Sequence, residues 1–235
     1  MKDLGNEPDT DASSIDLDAK RLAERIARQG APGRRRAPSA PGVDSGSPAQ
    51  APRGDHDLNP DFYDPKRELT PAAVLVPIVE DAGELSILLT LRTDHLYDHA
   101  GQIAFPGGRI DDIDKTPEHC ALRETEEEVG LPAERVRLVG RLDTYVTRTG
   151  FEVTPVVGLV RAPYPVEPDN FEVAEVFEVP LSHFLHPDSQ KTDSRVYQGR
   201  TRYYYAFPYG RHYIWGATAG ILVNLVEILS SGKRG

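Results

Sequence analysis

Three glutamates stand close together in this chain: Glu124, Glu127 and Glu128, in the run Arg123-Glu124-Thr125-Glu126-Glu127-Glu128-Val129-Gly130-Leu131. Their spacing is i, i+3, i+4, which on an α-helix puts all three on one face. Like charges crowded on one face repel, so something must offset the cost. A hard divalent cation does this naturally, because Mg²⁺ takes oxygen ligands and usually also contacts substrate phosphates. Upstream, Phe105-Pro106-Gly107-Gly108 leads into a loop. Paired glycines let the backbone approach a ligand or metal closely, and a loop carbonyl such as that of Gly108 could complete a coordination shell. Arg123 precedes Glu127 by four residues and could hold its carboxylate in position. The chemistry these residues suit is phosphate chemistry.

The carboxylates need a helix, and its ends are written in the sequence. Thr116-Pro117-Glu118 supplies a capping hydroxyl, proline at the first helical position and an acid in the first turn. Gly130 suits a helix stop. Ala121, Thr125 and Val129 recur at i, i+4, i+8, the stripe that would pack on a sheet, and the glutamates lie off it. The sheet is expected from apolar runs at 72–80 and 85–92, joined at Asp81-Ala82-Gly83 with hairpin chemistry. Further strands are expected at 102–105, 135–146, 153–161 and 175–179, with a tyrosine-rich hairpin at 195–207 around Gly199. Short and long helices are expected at 180–185 and 215–230. Mixed strands with few helices, in non-alternating order, indicate an α+β layered domain.

Composition sets the limits. The chain has 235 residues, enough for one substantial domain. A net charge of -10 argues against a protein that grips nucleic acid. The single cysteine, Cys120, excludes an intrachain disulfide and fits a cytoplasmic location; it reads as a buried helix residue rather than a catalytic thiol. No apolar run reaches the roughly 18 residues of a membrane span. The 39% hydrophobic content is what a polar tail would produce. Residues 1–65 are expected to be that tail, largely disordered across the Pro/Gly/Ala/Ser-rich stretch 30–54, with the folded domain at 66–235. A short helix is expected at 14–29, with Ile15, Leu17, Leu22 and Ile26 apolar and Ser14 as cap. It is either a marginal helix on a loose tail or an arm that docks or supports a homodimer.

The run from Gly108 to Leu131 resembles the Nudix box, G-x5-E-x7-R-E-U-x-E-E-x-G-U with U aliphatic. Arg123, Glu124, Glu127, Glu128, Gly130 and Leu131 match it. Asp114 stands where the first glutamate belongs, one extra residue separates it from Arg123, and Thr125 replaces an aliphatic residue. Leu88-Leu89-Thr90-Leu91-Arg92-Thr93 and Leu96-Tyr97-Asp98-His99-Ala100-Gly101-Gln102-Ile103-Ala104-Phe105-Pro106-Gly107-Gly108 further resemble the coenzyme A pyrophosphatase branch. That branch commonly shares the D-x-x-D loop seen at Asp111 to Asp114. Tyr97 replaces its usual arginine and Thr93 its serine.

The resemblance implies a Nudix-like α/β/α sandwich with a mixed β-sheet. It implies hydrolysis of a pyrophosphate by a water activated with Mg²⁺ or Mn²⁺. Glu124, Glu127, Glu128 and the Gly108 carbonyl would be metal ligands, Arg123 their organiser, and Glu127 the general base, with Glu124 the alternative. Arg92, His99 and Gln102 are candidates for substrate contacts, although Arg92 could equally pair with an acid at its strand end and His99 could be structural. Glu175 is a further candidate base or ligand, weighed against an ordinary surface acid. Tyr203, Tyr204 and Tyr205 could stack an adenine or simply alternate between core and surface. The implied substrate is coenzyme A or a derivative, giving phosphopantetheine and adenosine 3′,5′-bisphosphate. The alternatives are ADP-ribose, NADH or an oxidised nucleotide, or a non-catalytic nucleotide-binding module.

Overall fold

The computed structural model describes residues 18–28, 52–95 and 101–231. In chain order the elements are α1 (Ala19–Ala27), β1 (Arg53–Gly54), single 3-10 turns at Asp55–Asp57 and Pro60–Phe62, β2 (Thr70–Asp81), β3 (Glu84–Arg92), β4 (Ile103–Ala104), β5 (Gly107–Arg109) and α2 (Pro117–Val129). They continue with a third 3-10 turn at Ala133–Arg135, β6 (Val136–Arg141), β7 (Tyr145–Val146), β8 (Phe151–Arg161), β9 (Val173–Pro180), α3 (Leu181–Leu185), β10 (Lys191–Tyr197), β11 (Arg200–Tyr209), β12 (His212–Trp215) and α4 (Ala217–Ser230). The hairpin expected at 72–92 forms as β2 and β3, and the tyrosine-rich hairpin forms as β10 and β11 with β12 added.

The main sheet is mixed. Its centre, β2, runs parallel to β8 from Thr70 beside Phe151 to Glu80 beside Arg161. It pairs antiparallel with β3 near its end and with β5 near its start. Side chains alternate across a strand, and β2 is buried on both faces. Ala73 and Leu75 pack with Cys120 and Ala121 of α2, and Val79 packs with Val129 at the end of that helix. Ala72, Val76 and Ile78 point the other way, into a larger core shared with α1, α3 and α4. The result is an α/β/α sandwich, as the family resemblance implied. Among the described residues no helix is long and apolar enough to cross a membrane.

The segment expected to be a loose tail differs from that expectation wherever it is described. α1 is shorter than the predicted 14–29. Asp18 caps it, accepting the Arg21 N–H at 2.7 Å, while the expected cap Ser14 lies outside the described residues. Leu22 and Ile26 are fully buried in the main core, and Arg25 donates to the Leu229 carbonyl of α4. Residues 52–65 are also built in, so the domain boundary expected at 65–66 falls inside the folded unit. β1 pairs with β7. Arg53 is 5% exposed and ion-paired to Asp143 (3.1 Å) and to Glu227. Asn59 donates to the Tyr203 carbonyl at 2.8 Å and accepts its N–H at 3.0 Å. Composition missed this because polar side chains bonded to distant backbone hold the segment, not an apolar run.

Candidate active site

α2 forms with the predicted ends. Thr116 accepts the His119 N–H at 3.2 Å, Pro117 opens the helix, and Gly130 closes it at φ 71°, a left-handed conformation that favours glycine. Ala121, Thr125 and Val129 are fully buried against the sheet. This leaves the glutamates facing β5 and the loop beyond it.

The three glutamates do not share one environment. Glu128 sits deepest, its side chain 6% exposed. Its carboxylate accepts the Gly107 N–H and an Arg92 guanidinium N–H, both at 3.2 Å. Burial pushes it up to about 7, with the charges of Glu172 and Glu124 adding to the effect and Gly107 and Arg92 opposing it. Glu124 is partly buried; burial raises its pKa against the pull of Arg123. Its carboxyl carbon lies 2.5 Å from where a Cβ on Gly108 would stand. A side chain at 108 would push that carboxylate aside, so glycine there preserves the close approach of Glu124 to the loop. Glu127 is the outermost, its side chain 60% exposed.

Arg123 organises this face more extensively than its spacing to Glu127 predicted. It contacts Glu127 at 3.0 Å and Glu124 at 2.8 Å. It also forks onto Asp114 with bonds of 3.1 and 2.8 Å. These charge-assisted bonds hold the Asp114 carboxyl well below the usual range. Asp114 accepts the Asp111 N–H at 3.0 Å, closing the D-x-x-D turn. The departure from the box pattern at Asp114 is thus a working link between loop and helix. Cys120 is fully buried beneath the loop, its thiol 3.1 Å from the Arg109 carbonyl and pushed up to about 11 by burial, which suits packing rather than nucleophilic attack.

The remaining predicted residues divide. Arg92 lies at the site, bound to Glu128 and 3.5 Å from Glu172. Gln102 lines the adjoining cleft, and its carbonyl accepts the Arg92 N–H at 3.0 Å. His99 and Tyr97 lie outside the described residues. Glu175 is placed away from the carboxylate helix, which corrects its reading as a base or ligand there. It pairs with Leu91 on β3, whereas the next residue, Arg92, points to Glu128. Alternation therefore sends Glu175 to the opposite face, where it meets Arg211 at 2.6 Å and His212 at 3.3 Å. The acid that does reach the site is Glu172. Backbone bonds anchor its loop at both ends: Asp169 N–H to the Glu128 carbonyl (3.0 Å) and Thr93 N–H to the Glu172 carbonyl (2.9 Å). In sequence it is one loop acid among others, with no periodicity to mark it.

Among the described residues no three carboxylates or imidazoles already converge on one point: one Arg123 nitrogen contacts both Glu124 and Glu127, while Arg92 engages Glu128 separately. The donor set nevertheless fits a hard divalent cation. It consists of carboxylate oxygens, it is crowded with like charge, and the missing Cβ at Gly108 leaves Glu124 room beside the loop.

A cleft of about 430 Å³ opens on the other side of the same glycines. Gly107, Gly108, Arg92 and Gln102 are among the residues that line it, together with Arg109, Arg148, Arg195, Tyr197, Tyr204 and Trp215. Tyr203 and Tyr204 reach the cleft, while Tyr205 is buried in the core.

Comparison with known proteins agrees with this arrangement. The NUDIX domain family model matches residues 69–199. The chain is 42% identical over 154 residues to a protein of Escherichia coli (strain K12) described as "Uncharacterized Nudix hydrolase NudL", covering 66% of this chain and 80% of that one. Similar solved structures include a Caenorhabditis elegans Ap4A hydrolase (22% identity, TM-score 0.42, 47% of this chain and 80% of that one). Another is a MutT/nudix family protein from Enterococcus faecalis (16% identity, TM-score 0.43, 70% and 62%). With its glutamate helix, glycine loop and matched domain, the chain belongs to the Nudix family of pyrophosphohydrolases.

Proposed function

We propose that this protein is a metal-dependent diphosphatase of coenzyme A or its derivatives, yielding phosphopantetheine and adenosine 3′,5′-bisphosphate. The observation that carries the reading is a shared edge. Gly107, Gly108 and Arg92 both border the cleft and touch the carboxylates of α2, so a diphosphate lying in the cleft reaches the glutamates across the glycine loop.

Nudix hydrolases generally use divalent metal ions. Here Glu124, Glu127, Glu128 and the Gly108 carbonyl would hold Mg²⁺ or Mn²⁺, which when bound neutralises diphosphate charge and lowers the pKa of water. The chain's own groups do the rest. Arg123 fixes Glu124 and Glu127 relative to the Asp114 loop. Arg92 keeps Glu128 oriented and adds positive charge beside the diphosphate. Glu127, the most accessible of the three, accepts the proton of the attacking water. The water hydroxyl joins one phosphorus, the bond from that phosphorus to the bridging oxygen breaks, and the other phosphate leaves.

The test is incubation with coenzyme A and Mg²⁺ or Mn²⁺, with both products followed by chromatography. Glu127→Gln should abolish turnover while preserving the fold. Absence of coenzyme A turnover alongside clear activity on ADP-ribose, NADH or an oxidised nucleotide would overturn the substrate assignment and leave the site intact.

A further inference from the structure

The cleft carries more positive charge than a diphosphate beside a bound cation requires. Arg92 is engaged by Glu128 and Glu172, and Arg202 by Asp61 at 2.6 Å. Arg109, on β5 beside the glycines, lies over the Phe151 ring at 5.4 Å, and Arg148 and Arg195 come from elsewhere in the chain. Among the described residues neither of these last two guanidiniums makes a direct ion pair, Arg148 having only the longer-range attraction of Asp55; each lies over an aromatic ring. Arg148 is 4.7 Å from the Tyr197 centroid, and Arg195 is 4.7 Å from that of Trp215. A protein with a net charge of -10 has many carboxylates that could have met them. A ring face holds a guanidinium by cation–π attraction while leaving its planar N–H edge free for an anion. The backbone under Arg148 is fixed as well: its N–H donates to half-buried Asp55 at 2.7 Å, and Asp55 also accepts the Tyr145 hydroxyl at 2.9 Å.

Accepting the nucleotide-diphosphate reading above, we propose that Arg148 and Arg195 form a second anion site in the cleft, specific for a phosphate carried on the ribose of the substrate. Tyr197 and Trp215 act as platforms that hold the two guanidiniums. The diphosphate is taken at the glycine loop, and the ribose phosphate is taken at these two arginines. The site therefore favours a 3′-phosphorylated adenosine end over one that ends in a free ribose. Part of the cleft lining comes from chain beyond the matched domain: Trp215 follows residue 199.

Binding of the product half tests this without relying on turnover. Adenosine 3′,5′-bisphosphate and adenosine 5′-monophosphate are titrated calorimetrically into the full chain. The bisphosphate should bind roughly tenfold tighter or more, as expected for added charge-assisted bonds to phosphate. In Arg148→Ala and Arg195→Ala the ratio of the two affinities should fall toward one, and Arg195→Lys should recover only part of it. Because each ratio is internal to one protein, a partly unfolded variant lowers both affinities and leaves the ratio unchanged. Equal affinities in the wild type, or a ratio untouched by both substitutions, overturns the site. If the preference is present but coenzyme A is not hydrolysed, the anion site stands and the proposed reaction falls. If coenzyme A is hydrolysed with no preference, the reverse holds.

Discussion

Glu128 offers a quantitative test of the site because its burial has a cost that can be titrated. Its carboxyl is almost wholly buried, and burial raises it from 4.5 to about 7 in the folded protein. The folded value is the higher one, so its contribution to stability is intact below about pH 4.5 and is lost as pH rises through about 7. The difference of about 2.5 pH units, at about 1.36 kcal/mol each, is about 3 kcal/mol. Glu128→Gln cannot ionise and does not suffer this loss. Groups that do not interact with Glu128 titrate alike in both proteins and cancel; the coupled Glu124 and Glu172 add a smaller difference. For a domain of this size each kcal/mol moves Tm by roughly 2–4 °C, so in EDTA the variant should gain roughly 6–12 °C on the wild type between pH 4.5 and 8. Mg²⁺ at saturating concentration should then raise the wild-type Tm at pH 8, where the ionised carboxylate is ready to bind, and raise that of the variant less. Thermal unfolding followed by circular dichroism measures both. A Tm difference that stays flat across this pH range would refute the claim that Glu128 is a buried, charge-strained carboxylate.

Other substitutions probe the surrounding contacts. Arg123→Lys keeps the charge but loses the fork onto Asp114, and should lower kcat by roughly 10–100-fold with little change in Tm, read from steady-state kinetics beside a melt. Arg53→Ala leaves Asp143 and Glu227 without their buried partner and should cost about 3–5 kcal/mol in denaturant unfolding, an effect a loose tail would not show. Glu175→Gln should leave kcat and metal dependence unchanged, because its strand turns it away from α2; a large fall in kcat would return it to the chemistry.

Where the determinants are local, the chain could be read directly. The cap, the start, the packed stripe and the left-handed stop of α2 are set by residues within a few positions of one another, and all formed as expected. The hairpin of β2 and β3 follows from apolar runs either side of a short turn for the same reason. Arg123 to Glu127 is a one-turn contact; Arg123 to Asp114 needed the loop to fold back before it could be seen. Residues 52–65 were misjudged because their partners, Glu227 and Tyr203 among them, lie far along the chain.

By itself the sequence determined which residue types could hold a cation, their helical spacing, and the family to which that spacing belongs, because these are local patterns. The tertiary structure decided how the three glutamates differ. Glu128 is buried against Arg92 and Gly107, Glu124 is pressed to the loop at Gly108, and Glu127 is open to solvent. It also decided that Glu172, not Glu175, reaches the site, and that arginines from separate strands line one cleft. Burial and long-range pairing set the energy of a charge, and neither exists until the sheet is assembled.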